Sequence, residues 1–353
     1  MPRREARDRQ GIGIGLNAVV AAVTAGSPRV LSVKRAGTAI NQQATGAVPS
    51  SGLTDALPFG PFDPGEHRTL EVGMRRWVQE QTRLSLGYVE QLYTFGDRYR
   101  DSAEKAGGPR NVSVGYLALV RATEGADAGG ATWRDWYGFF PWEDWRAGRP
   151  PVIDKVITPR LLDWARARAR ASERRLREER VTLAFRPGEA SWDGERVLER
   201  YELIYEAGLV AEAIRDRGPA PANSRRPGRG TRGREPASEH ALGISMTLDH
   251  RRILATAMGR LRGKIRYRPV VFELLPHSFT LLELQRVVEA LAGVPLHKQN
   301  FRRLIEKGRL VERTGDREVR TGGRPAARFR FRTEVVLERP APGVGLPELR
   351  SAT

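Results

Sequence analysis

The sequence predicts an α+β / α/β chain in two parts, a mixed strand-and-helix unit over residues 11–214 and a winged helix-turn-helix over residues 269–340. Three observations predict it. Short apolar runs bounded by Gly and Pro alternate with amphipathic helical patterns through the first part. Residues 215–240 are rich in Pro, Gly and Arg, have no apolar anchors, and read as a disordered linker. After a linking helix within 241–268, the remainder runs helix, short turn, basic helix, β-ribbon, the order of a winged helix.

Residues 1–10 are charged and expected to be disordered. Gly11–Thr24 and Arg29–Lys34 read as strands split by Gly26-Ser27-Pro28. The apolar run Leu16–Val23 is preferred as a strand over a signal segment, and no stretch reaches transmembrane length, so no membrane partner is expected. Gly11, Gly13 and Gly15 precede a strand instead of joining one to a helix, which argues against a phosphate-cradling loop. Leu70, Met74, Trp77 and Val78 lie on one face of a predicted helix, and Ser113–Val120 is a predicted strand. The aromatic block Trp133–Trp142 fits core packing, with stacking on a base as the alternative. Pro159–Arg180 reads as one long charged helix with Leu161, Leu162, Trp164 and Leu176 inside, Val181–Phe185 as a strand, and Arg196–Ile214 as a further helix.

The linking helix, Leu248–Tyr267, has Asp249 at its start and an apolar stripe of Ile253, Leu254, Ala257, Leu261 and Ile265. Val270–Leu275 reads as a strand ending at Pro276. Thr280 and Glu283 have capping-box spacing ahead of Leu281, Leu284, Val287, Val288 and Leu291, and Gly293 with Pro295 stops that helix. The next helix, His297 to Lys307 with Gly308 as its stop, turns Phe301, Leu304 and Ile305 inward. It leaves Lys298, Gln299, Asn300, Arg302, Arg303 and Lys307 outside. In a winged helix this second helix enters the DNA major groove while the ribbon, here with Gly322-Gly323-Arg324-Pro325, touches flanking backbone.

Charge supports a polyanionic partner. The chain of 353 residues carries 60 Lys+Arg against 42 Asp+Glu, a net +18 and a pI near 10.9. Residues 241–353 hold 22 basic and 11 acidic side chains, whereas residues 1–214 hold 31 and 28. A field concentrated on one part favours double-stranded DNA bound through counterion release. Cysteine is absent, which excludes disulfides, thiolate metal sites and a Cys nucleophile and fits a reducing cytoplasm.

Between the strands, Leu57–Leu84 resembles a degenerate Nudix box, G-x5-E-x7-R-E-U-x-E-E-x-G-U with U apolar. Gly60 and Glu66 have the first spacing. With Arg76 at the Arg position, Trp77 stands where a Glu belongs, Glu80 matches the first of the paired Glu, Gln81 replaces the second and Arg83 replaces the Gly; the gap from Glu66 to Arg76 is two residues too long. The resemblance implies a Nudix-like α/β/α sandwich over residues 11–214. Nudix hydrolysis needs clustered carboxylates to hold divalent cations, so no catalytic residues, no metal and no required cofactor are expected. By the same resemblance Phe59, Glu80, Tyr93, Phe95, Asp97 and Arg98 flank the ligand position.

Both halves together resemble the Nudix-related transcriptional regulators of NAD metabolism, the NrtR and NadQ-like group. The resemblance is carried by Tyr88–Asp97, Asp249-His250-Arg251-Arg252-Ile253, Leu261–Ile265, Phe272–Pro276, Phe279-Thr280-Leu281, Lys298–Arg303 and Gly322–Pro325. It implies a dimeric repressor of NAD synthesis or salvage genes that binds a palindromic operator and senses ADP-ribose, ATP or NAD. By the family's motif Lys298, Gln299, Asn300, Arg302 and Arg303 fall on the recognition helix and Arg324 in the wing. Two other readings stay open: a nucleotide-diphosphate hydrolase with a basic appendage, motivated by Gly60, Glu66, Arg76 and Glu80, and a nonspecific nucleic-acid binder driven by the Arg-Gly linker.

Overall fold

The long apolar run after Gly13 becomes β1 (Gly13–Thr24), which is buried on both faces from Leu16 to Val23 and so must lie centrally in its sheet. β2 (Ser27–Arg35), β3 (Thr54–Ala56) and β4 (Phe59–Pro61) follow, then helix α1 (Leu70–Thr82), β5 (Tyr88–Phe95), β6 (Asn111–Leu119) and β7 (Ala131–Asp135). In this computed structural model the described residues are 11–35, 53–97, 104, 108–121, 130–168, 170–185, 192–217, 242–318 and 325–344. The expectations of disorder at residues 1–10 and over most of 215–240 fall outside them. The sheet order is β3-β2-β1-β6-β5, with β1 and β6 parallel, β4 added antiparallel to β1 and β7 to β2.

Period-two alternation along β1 sorts its side chains between two layers. Leu16, Ala18 and Val20 pack with Met74 and Val78 of α1, while Val19, Ala21 and Val23 join the core that holds the linking helix. Helix α1 starts at Thr69, whose hydroxyl accepts from Val72 N at 3.1 Å, and stops at Arg83 in the left-handed region (φ 61°). That is the position where the Nudix box has Gly, and a Cβ there costs about 1 kcal/mol. Arg83→Gly is therefore expected to stabilise the chain by about 1 kcal/mol, read as a melting temperature raised by a few degrees; an unchanged or lower value would contradict the strain assignment.

The middle of the chain is more helical than its sequence suggests. The expected long helix is two, α2 (Thr158–Arg166) and α3 (Ala171–Phe185), with a π-turn at Ile153–Ile157 before them. Val181–Phe185 is not a strand but the last turn of α3, where Val181 and Phe185 are fully buried, and Leu176 is exposed instead of inside. Arg196–Ile214 is likewise split into α4 (Val197–Glu206) and α5 (Ala211–Arg217), with Gly208 at φ 74° between them.

The linking helix is α6 (His250–Tyr267), buried along most of its length and packed on α4, β5, β1 and β6. Asp249 stands at its N-cap without a side-chain capping bond. The apolar run after Pro269 is a 3₁₀ turn, Val270–Leu274, not a strand, and places Val271 and Phe272 in the core. The winged helix follows: β8 (Phe279–Thr280), α7 (Leu281–Ala292), α8 (Lys298–Gly308), β9 (Val311–Glu318), β10 (Ala326–Phe331) and the short α9 (Val335–Glu338). The capping box is complete, Thr280 Oγ1 accepting from Glu283 N at 3.2 Å and Glu283 accepting from Thr280 N at 2.6 Å. Helix α8 includes Gly308 and is stopped by Arg309 at φ 45°.

A buried charge cluster ties the two parts together. Glu143, fully buried, accepts from Arg200 at 2.6 and 2.8 Å and from Arg262 of α6 at 2.6 Å; Arg262 also donates to Leu291 O at the end of α7. Beside it Gly293 sits at φ 74°, where a Cβ would strike Glu143 O and the Tyr137 hydroxyl, and its carbonyl accepts from Trp145 N at 2.7 Å. Trp136, Phe139, Phe140 and Trp142 are fully buried in this same core, so the aromatic block is packing and not a base-stacking platform. Among the described residues no helix is long and apolar enough to cross a membrane.

Candidate functional site

Two features concentrate chemistry. The first is a cleft of about 110 Å³ between the start of β1, β4, the start of β6 and the head of α6. Gly13, Gly15 and Asn17 lie on one face of β1, as residues two apart must. Parallel pairing sets Gly13 opposite Asn111 and Gly15 opposite Ser113. A Cβ at Gly13 would overlap the Asn111 side chain, and one at Gly15 would lie 3.2 Å from Ser113 Oγ. The glycines clear the floor of the cleft.

Asn17 carries the polar demand. It is 2 % exposed, its Nδ2 donates to Ser113 Oγ at 2.7 Å, and its Oδ1 is buried with no hydrogen-bond partner. An unpartnered buried carbonyl oxygen costs about 1–3 kcal/mol and calls for an N–H or O–H donor. Phe59 forms the wall, with the Arg35 guanidinium 5.1 Å from its ring centroid and the His250 imidazole edge-on at 4.9 Å. His250, the first residue of α6, accepts from Leu57 N at 3.0 Å through Nδ1, which places a ring proton on Nε2 in the neutral form.

The degenerate box is used to hold this wall. Trp77 Nε1 donates to Pro61 O at 2.8 Å, and its indole fills the space a side chain at Gly60 would need. The Gln81 carboxamide both accepts from Phe59 N at 3.3 Å and donates to Phe59 O at 2.7 Å, a two-way bond that a carboxylate could not make. Arg76 occupies the two remaining carboxylates, reaching Glu66 at 2.6 Å and Glu80 at 2.9 Å. Glu80 and then Glu66 raise the Arg76 guanidinium above its ordinary range, so it stays charged. Among the described residues no group of three potential metal ligands converges, and these donors do not fit a divalent cation.

Of the six residues the Nudix resemblance places at the ligand, Phe59 lines the cleft. Glu80 lies on the exposed face of α1, held by Arg76. Tyr93 is 62 % exposed, and Phe95 is core, its ring against Gly115 of β6. Asp97 pairs with Arg252 of α6 at 3.6 Å. Arg98 lies outside the described residues. Asn17, Ser113 and His250 line the cleft without having been foreseen; the alternating glycines running into Asn17 were the signal for the first of them.

The second feature is the outer face of α8. Phe301 and Ile305 anchor it in the core, while Lys298, Gln299, Asn300, Arg302, Arg303 and Lys307 are all exposed. No described carboxylate pairs with its four cations. The wing is different: Arg328 is held by Glu318 and Ser278, Arg330 by Glu312 at 2.6 Å and Arg332 by Glu338 at 2.8 Å. His297 at the N-cap makes no side-chain capping bond, leaving first-turn amides open to a phosphate. Arg324 lies outside the described residues.

Residues 271–331 match the NrtR DNA-binding winged helix domain family. The chain is 39% identical over 93 residues, 26% of its length, to the ADPR responsive transcriptional repressor NtrR of Acinetobacter baylyi, and that match spans 37% of the relative's own length. The crystal structure of Shewanella oneidensis NrtR complexed with a 27-mer DNA shares the fold at a TM-score of 0.50 and 21% identity, covering 92% of this chain and 95% of that one. A second Shewanella oneidensis NrtR structure matches at the same TM-score and identity, covering 91% and 95%.

Proposed function

We propose that this chain is an ADP-ribose-responsive DNA-binding transcriptional repressor of NAD synthesis or salvage genes, acting in the cytoplasm as a homodimer on a palindromic operator, with a sandwich that senses its nucleotide without hydrolysing it. The observation that carries DNA binding is the unpaired cationic face of α8, presented by a winged helix in which Arg328, Arg330 and Arg332 are each tied to a carboxylate. Unpaired cations on a groove-entering helix are free to replace condensed counterions on phosphates and to reach base edges.

The sensing half rests on the cleft. Phe59 offers a ring to stack on, Asn17 Oδ1 an acceptor for an amino or hydroxyl group, and Arg35 a cation beside them for a phosphate. The cleft takes one ring-sized group, base or ribose, and the rest of the ligand extends outward. ADP-ribose is preferred over ATP and NAD because the Acinetobacter relative is described as ADPR responsive. His250 gives the cleft a route to DNA: it contacts Phe59 and heads α6, which reaches the winged helix through Arg262 and Leu291 O. A ligand that moves Phe59 thus biases the helix that carries the reader.

Calorimetric titration with ADP-ribose tests the cleft. Phe59→Ala and Asn17→Ala are each expected to weaken binding by about tenfold or more, the scale of one stacking or hydrogen-bonding contact; unchanged affinity in both would place the effector elsewhere. Incubating the chain with ADP-ribose and magnesium or manganese is expected to give no AMP. Turnover abolished by Glu80→Gln would refute the non-hydrolytic reading and restore the hydrolase alternative.

A further inference from the structure

A cavity larger than the cleft, about 480 Å³, is a hollow at the junction of sensor, linking helix and reader. Its floor is aromatic. Phe272 of the 3₁₀ turn and Phe331 at the end of β10 are stacked at 4.3 Å with 23° between their planes, and Phe279 lies 5.8 Å from Phe272. Its wall comes from the sensor and α6: Tyr88 of β5, whose hydroxyl accepts from Lys264 Nζ at 3.1 Å, with Lys264 also paired to Glu90. Three exposed bases stand around the mouth, Arg121 after β6, Arg268 after α6 and His277 before β8.

Among the described residues the charges around the hollow do not balance. Lys264 is satisfied by Glu90, whereas no described carboxylate or carbonyl bonds Arg121, Arg268 or His277, and Glu273 is the one carboxylate that lines the hollow. At Glu143 and at Glu206, by contrast, two arginines share one acid. Two guanidiniums that no described acid pairs, beside a hollow lined by aromatic rings, present the complement of a ring bearing an anionic group. The volume falls in the range of small-ligand pockets.

We propose that this junction hollow is a second ligand site, for a flat aromatic molecule carrying one phosphate or carboxylate, with the ring against Phe272 and Phe331 and the anion between Arg121 and Arg268. It lies where three elements meet, so its occupant would touch the sensor, the linking helix and the reader together. The site does not depend on the DNA-binding reading and is tested without DNA.

The test is calorimetry on the full chain with four probes: AMP, benzoate, adenosine and inorganic phosphate. AMP or benzoate is expected to bind with a Kd below about 1 mM, with adenosine and phosphate each at least about tenfold weaker, because ring and anion must both be present. The better of AMP and benzoate identifies the anion the arginines select. The Arg121→Ala/Arg268→Ala variant, altered at two exposed positions and checked for an unchanged melting temperature, is expected to weaken that binding by tenfold or more. Failure of both ring-bearing anions to bind, binding of adenosine as tight as that of AMP, or full binding by the double variant would each overturn the proposal.

Discussion

Replacing Lys298, Arg302 and Arg303 together by Ala is expected to lower operator affinity by at least about 100-fold at physiological salt and to flatten the dependence of log Kd on log salt by about three units, one per lost phosphate contact. Two features of the molecule set that size. All three side chains are exposed and none is paired with a described carboxylate, so nothing in the protein competes for their charge. The anchors Phe301 and Ile305 stay buried and unchanged, so the helix keeps its place and the melting temperature should hold. Arg328→Ala with Arg330→Ala makes the matched control: those guanidiniums are held by Glu318 and Glu312, and their removal should cost far less affinity. Equal losses in the two variants, measured by fluorescence anisotropy, would sink the assignment of α8 as the reading helix.

Glu143→Ala is expected to destabilise the fold by about 3–5 kcal/mol, because it leaves Arg200 and Arg262 charged and buried with their central acceptor gone. The cost should appear as a lower urea midpoint with little change in slope. A triple change to apolar residues at Glu143, Arg200 and Arg262 should recover much of it, since the desolvation of all three charges disappears together. The cluster also fixes a pH dependence. Burial alone would raise the Glu143 carboxyl, but Arg200 and Arg262 outweigh it and hold the group below its ordinary value of 4.5. A carboxyl depressed in the folded state contributes stability that is full above 4.5 and is lost as pH falls through the folded value. Stability of the parent chain should therefore fall on acidification below about pH 4.5 more steeply than that of Glu143→Gln, which has already lost the contribution at pH 7. Parallel curves would show that the cluster carries no such linkage.

How much of this was legible in the sequence depended on how local the signal was. The capping box at Thr280 and Glu283, the stop at Gly293 and the inward set Phe301 and Ile305 are decided within a turn or two of helix, and the structure has them where the spacing put them. Short apolar runs were read less well. Val181–Phe185 and Val270–Leu275 have strand composition, yet neither has a neighbouring strand to pair with, and burial in the helical layer decides their form. Arg83, set where the box has Gly, takes a left-handed conformation, which Gly adopts without strain.

The cleft was the least legible part. His250 reaches Leu57 across 193 residues of chain, and nothing near either residue announces the other. Asn17 looks like one polar residue in a strand until β6 supplies Ser113 on one side of its carboxamide and nothing on the other. Tyr93, Phe95 and Asp97 follow the family's pattern in sequence, but the packing of β5 on α6 commits Phe95 to the core and gives Asp97 to Arg252.

The central claim, a reader of DNA governed by a nucleotide, is tested most directly by a mobility shift on the upstream region of the organism's own NAD-synthesis genes, at near-physiological salt with excess random DNA, titrating ADP-ribose, NAD and ATP in parallel. A shift that survives the competitor and is altered by ADP-ribose at concentrations where the other two have no effect is the predicted result. Equal affinity for random DNA, or a specific complex indifferent to all three nucleotides, would contradict it.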